Sequence, residues 1–116
     1  MEENEENNKS FHVQLLSKLI DVDQYPFIKL MIENDISKEE YTELFQLLHT
    51  LEEKYVQQKS EGFLDFTALL INFVGMLNEK LEPNETIQAL EREGYFPHLI
   101  KDFMRLLKQG IDLPNV

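Results

Sequence analysis

Three histidines and the acidic residues beside one of them are the side chains best suited to chemistry in this chain. His12, His49 and His98 lie far apart in the sequence. His49, Glu52 and Glu53 form the best metal-binding fragment, because residues three and four positions apart share a helix face. A di-metal helical bundle needs Glu-x-x-His on two helices, and the residue three before His49 is a glutamine. We therefore favour a solvated or packing role for this histidine.

Other catalytic and binding signatures are missing from the sequence. It contains no Gly-rich phosphate loop, no nucleophile elbow and no Ser/His/Asp grouping. Asp21 and Asp23 match two positions of an EF-hand loop, but Pro26 occupies the position that requires glycine. The absence of cysteine excludes disulfides, thiol nucleophiles and cysteine-based metal sites. We assign no catalytic, metal-ligating or cofactor-binding residue, expect no cofactor, and predict that the protein is not an enzyme.

Charge and hydropathy indicate a small acidic protein of the cytoplasm. The 116 residues include 22 acidic and 11 basic side chains, for a net charge of −11. This charge opposes contact with nucleic acid phosphates and anionic lipid. The first ten residues, MEENEENNKS, are the reverse of a signal peptide, and no run reaches the roughly 18 apolar residues of a membrane helix. We expect neither a nucleic acid nor a membrane partner.

Apolar residues recur with helical period, which predicts an all-α, compact bundle of about six helices. Leu, Glu, Lys and Gln outnumber the β-formers Val and Thr. Start and stop signals place the helices at about 10–20, 23–34, 38–59, 63–80, 84–93 and 97–109. The predicted division is a disordered acidic tail (1–9), one helical domain (10–110) and a C-terminal tail (111–116).

Local signals fix several of these boundaries. Ser37 and Glu40 have the spacing of a capping box, in which each side chain accepts from the other residue's backbone N–H. Pro26 and Pro97 suit the first turns of the second and sixth helices, where a missing N–H costs nothing. Gly94 is typical of a left-handed helix end.

The third and fourth helices carry the strongest apolar patterns. The third has a short heptad seam of Tyr41, Leu44, Leu48, Leu51 and Tyr55. The fourth is apolar nearly all round, which predicts a central helix buried on most sides, with Phe66 and Phe73 in the core.

An assembly is predicted from the same two helices. The fourth has more apolar surface than its short neighbours easily cover. Ala68 and Gly75 lie seven residues apart on one face of it, and small residues let a second helix approach closely. We expect a homo-oligomer, a dimer or trimer, with the third and fourth helices at the interface. The favoured function is a non-enzymatic, self-associating protein-interaction module, whose protein partner is unknown.

Two other classes of function stay open. A small-molecule-binding or enzymatic bundle would use Asp65, Asn72 and Glu79, the polar residues of the fourth helix that can face inward. A helix-turn-helix DNA-binding regulator would use residues 27–48, but three carboxylates and no arginine lie on its recognition helix.

A basic trio lies on the sixth helix, at Lys101, Arg105 and Lys108. Cations near a helix C-terminus complement the helix dipole. We favour this simpler interpretation over an anion-binding patch.

The sequence resembles the YhaI-like family, small uncharacterised proteins of spore-forming Gram-positive bacteria. The resemblance lies in caps, turns and core positions, in the stretches DVDQYPF (21–27), ISKEE (36–40), GF (62–63), LNEKL (77–81), ETIQAL (85–90) and EGYFPHLIKDF (93–103). It implies an all-helical fold and a homo-oligomer, and it implies no activity and no site residue.

Overall fold

The computed structural model describes residues 2–21 and 23–111, and these residues form six α-helices and no strand. The all-α class predicted from periodicity is therefore confirmed. The bundle measures 59 × 26 × 24 Å. Its helices are α1 (Glu2–Ser17), α2 (Pro26–Glu33), α3 (Lys38–Ser60), α4 (Thr67–Met76), α5 (Pro83–Glu93) and α6 (Pro97–Lys108).

Proline and glycine set several helix ends. Pro26, Pro83 and Pro97 each occupy the first position of a helix, where the ring supplies a suitable φ and the missing N–H has no intrahelical partner. Gly94 ends α5 in the left-handed conformation, with φ of 82°. The boundary signals at Pro26, Gly94 and Pro97 are thus confirmed.

The predicted capping box begins α3. The Ser37 hydroxyl accepts from the Glu40 backbone N–H at 3.0 Å, and a Glu40 carboxylate oxygen accepts from the Ser37 N–H at 2.9 Å. Glu40 also binds the Lys80 ammonium and the Asn78 side-chain amide, both at 2.8 Å. These bonds tie the start of α3 to the connection between α4 and α5. Lys80, the Ser37 N–H and Asn78, in that order, lower the Glu40 pKa to about 2.

Helix α5 is the packing centre of the bundle. It packs against both α2 and α6, whereas α4 packs against α3 and α6, and α1 packs mainly against α2. Thr86, Ile87, Ala89 and Leu90 of α5 are all buried. The largest fully buried apolar side chains of the core are Phe27, Leu48, Leu51, Leu70, Phe73, Ile87, Leu90, Leu99, Ile100 and Phe103.

An aromatic cluster joins α2 to α3 and to the connection between α5 and α6. Phe27 is fully buried, and its ring centroid lies 5.2 Å from Tyr95, 5.8 Å from Phe45 and 6.3 Å from Tyr41. The Glu93 carboxylate, at the end of α5, accepts from the backbone N–H groups of Phe27 and Ile28. A carboxylate from another helix thus satisfies donors that the α2 N-terminus leaves unpaired.

Two predicted helix starts at the N-terminal end are wrong. The first helix begins at Glu2 and not at Ser10, while the division of residues 1–9 as a separate tail stays a prediction. The residue before α2 is Tyr25 and not Asp23. The predicted C-terminal tail lies outside the described residues beyond Ile111, and the division at residue 110 stays a prediction.

Helix α4 is much shorter than the predicted 63–80. The Asp65 carboxylate accepts from the Thr67 N–H at 3.0 Å and from its hydroxyl at 2.6 Å, which fixes a turn just before the helix. These two bonds also lower the pKa of Asp65. At the other end, Leu77 has an extended backbone with ψ of 140°. A continuous apolar run therefore divides into a turn, a ten-residue helix and a loop.

Phe73→Ala should destabilise the protein by roughly 3–5 kcal/mol, because it leaves a cavity in the core beside Phe103. Phe63→Ala is the matched control, since Phe63 is about half exposed, and it should cost about 1 kcal/mol. Urea unfolding followed by circular dichroism measures both changes. Equal losses for the two variants would show that α4 does not anchor the core.

Ser37→Ala should lower the free energy of unfolding by about 1 kcal/mol, because the Glu40 N–H loses its acceptor. Thr42→Ala is the control, because Thr42 lies one turn into the same helix and bonds only the Lys38 carbonyl. Urea unfolding measures both. A Ser37→Ala protein as stable as the parent would argue against the box.

Glu40→Gln should destabilise the protein at neutral pH, with an effect that disappears in acid. The folded pKa of about 2 lies below the ordinary 4.5, so the carboxylate stabilises the fold above pH 4.5 and this contribution is lost as pH falls towards 2. The measurement is the unfolding midpoint of parent and variant between pH 7 and pH 2. Glu39→Gln, beside it on an exposed position, is the control. A gap between parent and Glu40→Gln that stays constant over this range would contradict the prediction.

Candidate interaction surfaces

Helix α4 buries only one of its sides. Leu69, Leu70, Phe73 and Val74 face the core, and Phe66 just before the helix is also buried. The predicted core positions Phe66 and Phe73 are thus correct. The expectation that most sides of the helix are buried is wrong, because only α3 and α6 pack closely against it.

The opposite side of α4 is an exposed apolar surface, which we call the α4 face. It consists of Ala68, Ile71, Gly75 and Met76, and Met76 is 67% exposed. A Cβ added at Gly75 meets no atom within 4 Å. The close approach predicted for Gly75 and Ala68 is therefore not used inside the chain.

Helix α1 carries a second exposed apolar surface, which we call the α1 stripe. Phe11, Leu15 and Leu16 of α1, and Leu19 just beyond its end, recur with helical spacing, yet all four are exposed, Leu16 by 60% and Leu19 by 80%. Ser17 is the one buried side chain among residues 8–19. The helical period of this stripe is real, but the described part of the chain supplies no layer to cover it.

The predicted seam of α3 is used within the chain. Leu44, Leu48, Leu51 and Tyr55 are all buried in the core. Only Tyr41, at the start of the seam, is substantially exposed. The third helix therefore has no free heptad seam to offer to a second chain, and its place at an interface stays a prediction.

The polar residues of the fourth helix do not line a common buried pocket. Asp65 and Glu79 are exposed and Asn72 is half-buried. Asp65 is engaged by Thr67 at the helix start. The alternative of a bundle with a buried polar site on this helix therefore lacks its pocket in the described residues.

A polar group joins α3 to α6. The Tyr55 hydroxyl donates to Asp102 at 2.5 Å, and Asp102 also binds the Arg105 guanidinium at 2.8 Å. The Lys59 ammonium donates to the Tyr55 oxygen at 3.2 Å. Burial, and then the Asp102 carboxylate, raise the Tyr55 pKa to about 12. The phenol is therefore a protonated donor that links two helices, and it is not poised to act as a base at neutral pH.

The basic trio of α6 is exposed along one side of a shallow groove. Lys101, Arg105 and Lys108 line this space of about 520 Å³ together with Met104 and Glu91. Arg105 is neutralised by Asp102, and Glu91 adds an opposing charge. The trio therefore forms a weak cationic patch at the C-terminal end of a helix.

The histidines do not converge on a metal site. His49 packs edge-on against Phe96, with ring centroids 5.0 Å apart, while His12 and His98 lie on α1 and α6. One Glu52 carboxylate oxygen is buried without a protein hydrogen-bond partner. Among the residues that the structure describes, no three His, Asp or Glu side chains are grouped to hold a metal ion.

The predicted helix-turn-helix segment is present as α2, a short turn and α3. Asp35 in this turn is left-handed, with φ of 53°. Glu39 and Glu43 are exposed at the start of α3. This surface would meet phosphates with like charge. The absence of nucleic acid binding stays a prediction.

These features define an all-α bundle with exposed apolar helix faces. None of the described helices combines the length and apolar character needed to cross a membrane. The model of a family described as "Protein of unknown function (DUF1878)" matches residues 2–108. The chain belongs to this family.

Proposed function

We propose that this protein is a non-enzymatic helical module that acts by associating with copies of itself. The α4 face carries the proposal: Ala68, Ile71, Gly75 and Met76 expose an uncharged apolar surface to solvent. Burial of such a surface against another chain is favourable at roughly 25 cal/mol per Å². Phe63 and Leu64, which are also exposed just before α4, extend it.

The size of the residues supports a helix as the occupant of the α4 face. Gly75 has no side chain and Ala68 has only a methyl group, and Ile71 lies between them in the sequence. A Cβ added at Gly75 would meet no atom within 4 Å. A second helix can therefore approach the α4 backbone closely, as small residues permit at helix crossings.

The oligomeric state and the cellular location are also part of this proposal. The assembly is a dimer or trimer, and the cysteine-free, acidic composition suits a cytoplasmic protein. The resemblance to the YhaI-like proteins of spore-forming bacteria implies a homo-oligomer, which agrees with this proposal. Protein partners other than a second copy are not required by the exposed α4 face.

Light scattering at micromolar concentration tests the assembly. The chain mass is 13.8 kDa, and the measured mass should be an integral multiple of this value that falls on dilution. A mass of one chain at every concentration would overturn the proposed function.

Gly75→Leu should dissociate the oligomer while leaving helicity intact, because its side chain enters open space in the chain but blocks the approach of a second helix. Gly75→Ala is the matched control. It should retain the oligomer and stabilise α4 by up to about 1 kcal/mol, since alanine is the better helix former. Light scattering and circular dichroism on both variants measure the two effects. Unfolding by Gly75→Leu would place the close contact inside the subunit.

A further inference from the structure

We propose that the α1 stripe of one chain docks across the α4 face of a second copy, and that the second copy returns the same contact. The inference rests on the proposed self-association and names the surfaces that meet. A two-fold arrangement then buries two identical contacts, since each chain supplies one stripe and one face.

Both surfaces are free within one chain. The α1 stripe and the α4 face are exposed at the same time, so neither covers the other. Helix α1 packs mainly against α2, and Ser17 is its one buried side chain among residues 8–17. A helix of 16 residues with so little tertiary support is marginal alone. A partner surface for its apolar side would supply the missing stabilisation.

The distribution of acidic residues distinguishes the α1 stripe and the α4 face from the rest of the protein surface. The chain carries a net charge of −11, so most of its surface repels a second copy. Residues 7–20 and 66–78 contain no aspartate or glutamate, and they are the two longest such stretches in the sequence. The first includes the α1 stripe and the second includes the α4 face.

The charges that flank the two surfaces are opposite in sign. Lys9 lies before the α1 stripe and Lys18 lies within its sequence range, next to Leu19, and both are exposed. Asp65 and Glu79 bracket the α4 face, and both are exposed as well. Pairing α1 with α4 brings lysines towards carboxylates, whereas pairing α1 with α1 or α4 with α4 brings like charges together.

The shapes and lengths of the surfaces also correspond. Phe11–Leu19 and Ala68–Met76 are nine residues each, and the helical part of the first ends at Ser17. Large side chains project from the α1 stripe, while small residues flank Ile71 on the α4 face. Reciprocal docking doubles the buried area, which moves it towards the roughly 1,200–2,000 Å² of stable interfaces.

Two double variants test the pairing. Leu16→Glu with Leu19→Glu places carboxylates on the α1 stripe, and Ala68→Glu with Ile71→Glu places them on the α4 face. Each variant alone should dimerise with a dissociation constant raised about tenfold or more, because both contacts now bury an unpaired charge. Val56→Glu, at an exposed apolar position of α3, is the control and should retain the parental constant.

An equimolar mixture of the two variants separates heterologous pairing from the alternatives. The mixed dimer regains one intact contact, between the normal stripe of one copy and the normal face of the other. Native mass spectrometry with one copy mass-labelled should therefore show the mixed dimer far above the twofold excess over either homodimer that random pairing gives.

The other outcomes each overturn the inference. An α1 variant that dimerises like the parent shows that the stripe is not at the interface, although the proposed self-association survives. Dissociation of only one variant indicates α1–α1 or α4–α4 pairing, and dissociation of both without complementation indicates that the dimer uses both of these like pairings. A monomeric parent overturns the proposed function as well. Circular dichroism confirms that each variant is folded, and Ala68→Glu alone replaces the second variant if Ile71→Glu unfolds α4.

Discussion

The packing of Phe27 in the core is the constraint on which the rest of the bundle depends. The fully buried ring contacts aromatic side chains of α3 and of the connection between α5 and α6. Its own backbone N–H donates to Glu93 at the end of α5. Phe27 therefore fixes α2 in two ways: its ring is held in the core, and its backbone N–H is held at the start of the helix. The left-handed residues Gly94 and Phe96 reverse the chain here and place Tyr95 against Phe27.

This arrangement explains why α5 is the packing centre and α4 lies at one side. Once α2 is fixed to the end of α5, α5 is covered by α2 on one side and by α6 on another. Helix α4 then finds only α3 and α6 as close neighbours. Four of its residues are buried and the others turn towards solvent. The most apolar helix of the chain consequently keeps an uncovered apolar side.

Features set by neighbouring residues were predictable from the sequence, and features set by residues far apart in the chain were not. The Ser37–Glu40 capping box depends on residues three positions apart, and each proline acts through its own φ. Both signals can therefore be recognised within one short segment of the sequence. The Glu93–Phe27 bond joins residues 66 positions apart and has no local signature. Periodicity showed that α1 is amphipathic and that Phe73 faces inward. It could not show that α1 lacks a covering layer, because burial depends on where other helices lie. The polarity of Asp65 pointed to a possible pocket, but it acts as a turn residue beside Thr67.

In the proposed self-association, the combination of high net charge with two apolar surfaces free of carboxylates favours a finite assembly over aggregation. An exposed apolar surface on a neutral protein attracts many partners without selection. Here the surrounding carboxylates repel another copy in most orientations, and only the carboxylate-free surfaces can approach without that cost. If each chain also supplies both halves of the contact, a two-fold dimer leaves no half unpaired. Acidic composition and apolar exposure, which look contradictory in one small protein, then serve the same purpose: the charge excludes the wrong encounters and the apolar surfaces stabilise the right one.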